Sequence, residues 1–194
     1  PACQNGEVND WEEYLKSFDG EPGYLDWAAF GPLSPNVRAE VHADAELLGS
    51  GRRSSIELVG EHVRESRELL AQLLRTDAEH VVLQPSTTYG LMQAMYGLAG
   101  GLMVSRGEFP SLTVAATRAS DALGSIDVQW IEPEGGFVTP DAVREALTDD
   151  TRALAVSLVD FRTGYRADLT ALREVIGDRL LIVDAIQGFG VVDA

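Results

Sequence analysis

Short runs of β-forming residues alternate with helix-like segments along most of the chain, and this alternation restricts the possible folds. The runs are HVVLQ, GLMVS, IDVQWI, RALAVSLV and LLIVDA, and segments with helical spacing of apolar residues separate them. Strands joined by helices form right-handed crossovers and a parallel sheet. The sequence therefore predicts an α/β fold with five strands: a three-layer, mostly parallel sheet with helices on both faces.

Two helices and a short helical arm are predicted ahead of these runs. DWEEYLKSF, residues 10–18, has the spacing of a short helix capped by Asp10. A second helix is predicted from about Pro35, since proline is favoured in a first turn. The apolar spacing from Ser55 to Leu74 predicts a long amphipathic helix. Within the alternating region, helices are predicted from about residue 88, near 112–122, over PDAVREAL and over DLTALREVIG.

The same spacing predicts how the chain is divided. Residues 1–20 are predicted to form an N-terminal helical arm, and residues 21–194 the domain that follows it. Within that domain YLDWAAFGPLSP starts as an extended piece and ends in turn residues, and GSGRRSS, residues 49–55, is a flexible break.

Composition disfavours several kinds of partner. A formal net charge of −16 and a pI near 4.4 repel phosphate backbones and anionic lipid, so neither nucleic acid nor membrane surfaces are expected partners. The apolar runs are shorter than the roughly 20 residues of a membrane span. A lone cysteine, Cys3, excludes an internal disulfide, so we expect a cytoplasmic protein. The three histidines are far apart and outside any metal-binding motif, so we expect no metal site.

An acid ends the most apolar run. In LLIVDAIQGFG, residues 180–190, the aliphatic stretch stops at Asp184, and Gln187 follows three residues later. Open α/β sheets bind ligands at the carboxyl ends of their strands, which makes Asp184 a candidate for chemistry. Capping of a turn or of the next helix is the competing interpretation. An ATPase acid is disfavoured because the single lysine, Lys16, lies in no phosphate-binding loop.

Hydroxyl groups follow the first predicted strand. In QPSTTYG, residues 84–90, Ser86, Thr87 and Thr88 lie where a strand gives way to a helix. Their hydroxyls and the free N–H groups of the helix start could bind a phosphate dianion. Simple N-capping would use the same residues without a ligand, so both interpretations stay open.

Two later turns carry further candidates. Phe109 follows the second predicted strand and precedes a proline, where its ring could stack on a planar cofactor or pack in the core. The turn DFRTGYRADL offers polar side chains, and its last acid, Asp168, is predicted to cap the following helix. The other candidates in this turn are Asp160, Arg162, Thr163 and Tyr165.

Taken together, the turns resemble the cofactor site of the class V aminotransferase family of pyridoxal-phosphate enzymes. This family includes cysteine desulfurases, selenocysteine lyases, kynureninase and isopenicillin N epimerase-like proteins. The resemblance runs from YLDWAAFGP through QPSTTYG, GEFPS and SLVDFRTGYRADL to VDAIQGFG. It implies the large domain of the aspartate-aminotransferase-like fold, the cofactor pyridoxal 5'-phosphate, an amino-acid substrate and a homodimer.

The resemblance also implies roles for individual residues. Asp184 would pair with the pyridinium nitrogen, Gln187 would hydrogen-bond the phenolic oxygen, and Phe109 would stack on the ring, where desulfurases commonly carry histidine. Thr87 and Thr88, with Ser86, would hold the phosphate. The substrate side would include Ala28 and Ala29, and Arg162. Arg52 and Arg53 would meet a carboxylate of the substrate or of a partner subunit, or would simply be solvated.

The sequence departs from the family pattern in three respects. Family members bind the cofactor covalently through a lysine beyond the glutamine; Lys16 does not match that position, and the chain ends at Ala194. The catalytic lysine is therefore not in this chain, nor is the C-terminal small domain. We expect a part of a longer enzyme rather than a truncated relative, and we expect no turnover from these residues alone. Phe161 stands where desulfurases usually have asparagine, which slightly favours an epimerase- or transaminase-type reaction.

The sequence leaves three functions open. The first is a pyridoxal-phosphate enzyme acting on an amino acid by aminotransferase, epimerase or C–S lyase chemistry. The second is a non-catalytic domain that binds a phosphate-bearing ligand at Thr87, Thr88 and Asp184. The third is a generic α/β domain whose turns are merely capped.

Overall fold

The computed structural model describes residues 7–18 and 20–192, with side chains from Glu12 onwards. Cys3 lies outside the described residues. The chain divides into two compact units, one ending at Leu83 and the other starting at Gln84. The predicted boundary at residue 20 stays a prediction.

The first unit is helical. Its helices are α1 (Glu7–Lys16), α2 (Pro35–Gly49) and α3 (Arg53–Leu74), followed by a 3₁₀ turn at Ala78–His80. The prediction for α2 is confirmed: Pro35 opens the helix, and the Ser34 hydroxyl accepts a hydrogen bond from the Val37 N–H at 3.3 Å. Asp10 lies inside α1, so the prediction that it caps this helix was wrong.

The predicted break at residues 49–55 is shorter in the structure. Only residues 50–52 separate α2 from α3, and Arg53 is already helical. The Ser50 hydroxyl donates to the Leu47 carbonyl at 2.7 Å and lies 3.0 Å from the Ser55 hydroxyl, which orders the connection. Local hydrogen bonding therefore replaces the flexibility that glycine and serine content predicts.

The second unit is built on a parallel sheet. Its strands are β1 (Gly100–Ser105), β2 (Ile126–Ile131), β3 (Thr151–Ser157) and β4 (Leu180–Asp184), in the order β2-β1-β3-β4. All three pairings are parallel, as predicted. HVVLQ was predicted as a fifth strand and is not one: residues 81–84 join no ladder, and Val82 is 71% exposed.

Helices cover both faces of this sheet. The helices are α4 (Thr87–Tyr96), α5 (Pro110–Leu123), α6 (Pro140–Ala146) and α7 (Leu169–Ile176). Along β1, Leu102 and Val104 pack with residues of α4 and α5, whereas Met103 packs with α6 and α7 on the other side. The predicted three-layer arrangement is confirmed, and burial on both faces explains the apolar runs of the central strands β1 and β3.

The register brings the carboxyl ends of the strands together. Ser157, the last residue of β3, pairs with Asp184, the last residue of β4. Likewise Ser105 of β1 pairs with Ile131 of β2. The turns that follow the strands therefore lie along one edge of the sheet, where ligands of such sheets bind. No helix in the described part of the chain is both long and apolar enough to cross a bilayer.

Candidate functional site

Asp184 is a buried acid with a free oxygen. It is 4% exposed at the end of β4, and its Oδ1 accepts a hydrogen bond from the Ile186 N–H at 3.0 Å. Its Oδ2 is buried and accepts no hydrogen bond from any described residue. The bond to Ile186 is the turn-capping that the sequence left open. One oxygen therefore stabilises the turn, and the other is a buried acceptor that lacks a donor.

A second buried acid lies beside Asp184 on the same edge. Glu108, in the turn between β1 and α5, is 9% exposed. Its Oε1 accepts from the Ser157 N–H at 3.1 Å, and its Oε2 accepts from the Ser157 hydroxyl at 2.5 Å. Burial raises the pKa of Glu108, the bonds from Ser157 lower it, and the charges of Asp160 and Asp184 raise it, so its pKa lies above the ordinary value.

The turn after β3 is held by a third acid. Asp160 Oδ1 accepts from the backbone N–H groups of Arg162 and Thr163 at 3.0 and 2.8 Å, and its Oδ2 pairs with Arg162 Nη2 at 3.1 Å. Burial raises the pKa of Asp160, but the hydrogen bonds from Arg162 and Thr163 outweigh it and lower the pKa. Arg162 is thus already paired, and its side chain is 43% exposed.

The turns after β1 and β3 contact each other through aromatic rings. Phe109 and Phe161 meet edge to face, with ring centroids 5.1 Å apart at 86°. A Cβ on Gly107 would lie 2.8 Å from Arg162 Nη2, so the guanidinium packs close to the glycine backbone. Phe109 as a whole remains 41% exposed. It therefore presents surface beyond its contact with Phe161.

The hydroxyl groups at the start of α4 have different roles: one caps the helix, and another contacts α5. Ser86 is the N-cap of α4 and accepts from the Tyr89 N–H at 3.3 Å, so the capping interpretation is correct for Ser86. Thr87 is the first helical residue and is half-buried. The Thr88 hydroxyl lies 2.8 Å from the hydroxyl of Ser111, which is buried in the first turn of α5. This pair brings the start of α4 to the start of α5, where Phe109 is the N-cap.

The other predicted site residues are distributed over both units. Gln187 is half-buried in the turn after β4. In the first unit, Ala29 lies in a turn where its N–H donates to the Asp26 carbonyl at 3.2 Å. Arg52 is an exposed N-cap of α3, and Arg53 pairs with Glu57 at 3.2 Å on the surface. Asp168 caps α7 as predicted, with the Ala171 N–H donating to its Oδ1 at 2.9 Å.

The acids at the sheet edge do not form a metal centre. Among residues 7–18 and 20–192, no group of three or more histidine, cysteine, aspartate or glutamate side chains could hold a metal ion. Each of the three acids instead binds backbone or hydroxyl groups nearby. The arrangement suits an organic ligand with a cationic N–H at Asp184 and an anionic group at the helix starts.

Comparison with protein families identifies the family of the chain. The family described as Aminotransferase class-V matches residues 23–193 of the chain. The chain belongs to the class-V aminotransferase family. The match extends over both compact units and includes every turn of the site.

Named relatives of this class-V protein are cysteine desulfurases. "Cysteine desulfurase IscS" of Ectopseudomonas mendocina (strain ymp) is 28% identical over 186 residues, covering 89% of this chain and 46% of the relative. The protein of the same name from Pseudomonas putida (strain GB-1) is 29% identical over 187 residues, with the same coverage of 89% and 46%. The chain thus spans about half the length of the curated relatives it matches.

Solved structures share the fold of this class-V protein. A C-DES variant with glycine covalently linked to its pyridoxal-phosphate cofactor superposes with a TM-score of 0.82 at 16% identity, covering 91% of this chain and 50% of the other. The apo cysteine desulfurase of Thermococcus onnurineus NA1 gives 0.71 at 20% identity, covering 90% and 47%. At these identities the likeness establishes the fold, including the predicted aminotransferase-like architecture.

Sequence reasoning missed three residues of the site in this class-V protein. Glu108, Ser157 and Ser111 are all buried and polar, and each makes a hydrogen bond along the sheet edge. Glu108 directly precedes Phe109 in the sequence. The available signal was an acid in a turn directly after a buried strand, since buried acids need hydrogen-bond partners.

Proposed function

We propose that this chain provides the cofactor-binding part of a pyridoxal-phosphate-dependent enzyme that acts on an amino acid. The observation that carries the proposal is the buried Oδ2 of Asp184, an acceptor at the carboxyl edge of a parallel sheet with no donor among the described residues. A protonated pyridine nitrogen is a donor of the required charge. Membership of the class-V aminotransferase family supports the same ligand.

Asp184 would bind the ring nitrogen and keep it protonated. The hydrogen bond from the Ile186 N–H to Oδ1 fixes the orientation of the carboxylate, and this also fixes the position of Oδ2. Gln187, in the same turn, would hydrogen-bond the phenolic oxygen. When bound, pyridoxal phosphate supplies an electron sink for bond cleavage at the amino-acid α-carbon. The chain's contribution is to orient the ring and to stabilise positive charge at its nitrogen.

The starts of α4 and α5 would hold the phosphate. Thr87 and Thr88 lie in the first turn of α4, where backbone N–H groups lack partners within the helix. Ser111 lies 2.8 Å from Thr88, so the two hydroxyls form one polar surface. Ser86 would contribute through its backbone, because its hydroxyl already caps α4.

Phe109 would pack against one face of the ring. The edge-to-face contact with Phe161 fixes the orientation of the Phe109 side chain, while 41% of the residue stays exposed. Arg162 would lie on the substrate side, held by Asp160. We retain Ala29 and Arg52 as substrate-side candidates on the resemblance alone.

For the reaction we propose C–S bond cleavage in a sulfur-containing amino acid. Support comes from relatives named cysteine desulfurase that cover 89% of the chain at 28–29% identity. The competing preference for epimerase or transaminase chemistry depends on Phe161, whose ring meets that of Phe109 edge to face. A homodimer is proposed from the family resemblance, and a cytoplasmic location from the single cysteine.

Ligand selectivity tests the proposal against a general phosphate-binding domain. Pyridoxamine 5'-phosphate is the suitable probe, because its amine cannot react covalently with Lys16 or the amino terminus. We expect it to bind this chain at least about tenfold more tightly than inorganic phosphate or unphosphorylated pyridoxamine, since each end of the ligand contributes and tenfold is about 1.4 kcal/mol. Isothermal titration calorimetry measures all three.

Each pattern of affinities has a distinct meaning. Equal affinity for inorganic phosphate and pyridoxamine 5'-phosphate would favour the non-catalytic phosphate-binding domain. Absence of binding by all three ligands, with the chain folded by circular dichroism, would contradict both and leave a capped α/β domain.

A Thr88→Val substitution tests the phosphate end. Valine keeps the shape of threonine but removes the hydroxyl, and it leaves the Ser111 hydroxyl without its 2.8 Å partner. We expect affinity for pyridoxamine 5'-phosphate to fall about 3–10-fold, the value of one hydrogen bond, with affinity for unphosphorylated pyridoxamine unchanged. Thr117→Val is the matched control, because the Thr117 hydroxyl is exposed on α5 and bonds the Thr113 carbonyl. Equal losses for both ligands would place Thr88 away from the phosphate.

A further inference from the structure

Glu108 links two parts of the sheet edge that no other described hydrogen bond joins directly. It lies in the turn between β1 and α5, directly before Phe109, and both its carboxylate oxygens bind Ser157 at the end of β3. Ser157 is the register partner of Asp184. We propose that Glu108 is a positioning residue: it ties the turn that carries Phe109 to the strand end beside Asp184, and so fixes the two sides of the cofactor site relative to each other.

The geometry is that of a rigid connection. The two bonds, 3.1 Å to the Ser157 N–H and 2.5 Å to its hydroxyl, use different oxygens, so the carboxylate cannot rotate without breaking one. Both residues are 9% exposed, so water does not readily replace either bond. The contact between Phe109 and Phe161 joins the same two turns on the exposed side. Together these contacts hold the Phe109 ring at a fixed place above the sheet edge.

Burying the Glu108 carboxylate costs desolvation free energy. The charged groups around Glu108 also give it a second property, an electrostatic interaction with Asp184. Three acids share this edge: Glu108, Asp160 and Asp184. Arg162 neutralises Asp160 at 3.1 Å, whereas no described cation pairs with Glu108 or Asp184. The charge on Asp184 raises the pKa of Glu108, so the two carboxyl groups interact through space. A cation bound at Asp184 would relieve this repulsion.

The positioning role rests on the proposed function for its ligand. The coupling between Glu108 and Asp184 can be tested without any ligand. In the ligand-free chain labelled with ¹³C at glutamate carboxyl groups, NMR titration follows Glu108 directly. Asp184→Asn removes the repelling charge, so the midpoint for Glu108 should shift downward. Ser157→Ala removes a hydrogen bond to the charged form, so the midpoint should shift upward. Asp178→Asn, an exposed acid before the amino end of β4, is the matched control and should leave the midpoint unchanged. An unchanged midpoint in Asp184→Asn overturns the coupling.

Binding measurements test the positioning role. Glu108→Gln keeps the shape: its carbonyl can accept from the Ser157 N–H, and its amide can donate to the Ser157 hydroxyl. Glu108→Ala removes the connection entirely. We expect Glu108→Ala to weaken pyridoxamine 5'-phosphate binding about tenfold and Glu108→Gln to stay within about threefold of wild type at pH 7. Thermal unfolding of both variants ensures that affinities are compared on folded protein.

Failure of the Glu108 positioning role and failure of the proposed cofactor-binding function give different results. Equal affinities for the wild type, Glu108→Ala and Glu108→Gln overturn the positioning role, as do equal losses in the two variants. No binding by the wild type refutes the proposed function, and the NMR midpoints then decide alone whether Glu108 and Asp184 are coupled.

Discussion

An Asp184→Asn variant is expected to bind pyridoxamine 5'-phosphate at least about thirtyfold more weakly than the wild type. Asparagine retains an oxygen to accept from the Ile186 N–H, so the turn after β4 should persist. What it loses is the negative charge beside a ligand cation in a site that is 4% exposed. Removing one partner of a buried charged hydrogen bond costs about 2–5 kcal/mol, and 2 kcal/mol corresponds to roughly thirtyfold.

The thermal stability of the ligand-free Asp184→Asn variant, unlike its affinity, should not fall. Without ligand, Asp184 Oδ2 is a buried oxygen with no described donor, close enough to Glu108 to raise its pKa. Replacing that charge by a neutral amide should therefore leave the thermal midpoint equal to or above that of the wild type. Asp178→Asn controls for the change of residue type. Affinity within threefold of wild type in Asp184→Asn, with unchanged calorimetric stoichiometry, would show that Asp184 does not bind the ring nitrogen.

All four strands of the structure were predicted from the sequence, and three of them are apolar runs; β2, which carries Asp127 and Gln129, is the exception. GLMVS, RALAVSLV and LLIVDA are continuous apolar runs, and in the structure their side chains pack alternately against helices on either side. A continuous apolar run needs apolar contacts on both faces of its strand, and few positions outside a helix-covered sheet provide them. The same logic placed Asp184 at a strand end, since a charge cannot continue a buried run.

HVVLQ shows where this reasoning fails. The run has β-branched residues and the right length, but Val82 is 71% exposed and Leu83 is 44% exposed. A strand exists only if a partner supplies the ladder of hydrogen bonds, and that partner comes from elsewhere in the chain. The sequence of the run itself carries no information on this point.

The prediction that Asp10 caps α1 was wrong for a local reason. A cap residue must directly precede the first turn of its helix, and α1 starts at Glu7.

The site was predicted as separate turns, and its connections were not predicted. Glu108 and Ser157 are 49 residues apart, and Thr88 and Ser111 are 23 apart. Each pair meets only because β1 and β3 are neighbours in the sheet and α4 packs on α5. Strand order is set by the packing of the whole domain, so single-turn patterns do not reveal which side chains from different turns will bond.

A Gly101→Ala substitution is expected to lower the free energy of unfolding by about 1–3 kcal/mol. A Cβ at this position of β1 would lie 2.6 Å from Gln129 Nε2 and 2.7 Å from the Asp150 carbonyl oxygen. The second of these atoms is backbone and cannot rotate away. Insertion of a methyl group into so tight a site typically costs 1–3 kcal/mol. The roughly 0.5–1 kcal/mol that alanine gains over glycine in chain entropy offsets only part of it.

Gln129 cannot relieve the overlap cheaply. Its Oε1 accepts from the fully buried Thr151 hydroxyl at 2.6 Å, and its Nε2 donates to the Thr148 hydroxyl at 3.1 Å. Moving the side chain would break both bonds, each worth about 0.5–1.5 kcal/mol. The register between β1 and β3 shifts between Gly101 and Leu102, so the missing side chain permits this close approach of the strands.

Gly97→Ala is the matched control for this prediction. Gly97 ends α4 four residues earlier, and the nearest atom to its added Cβ would be the Ala94 carbonyl oxygen at 3.5 Å, an ordinary contact. Its φ of −83° suits alanine, so this variant should be as stable as the wild type or up to about 1 kcal/mol more stable. Urea unfolding followed by circular dichroism measures both variants. Equal stability of Gly101→Ala and Gly97→Ala would mean that the β1–β3 junction relaxes freely.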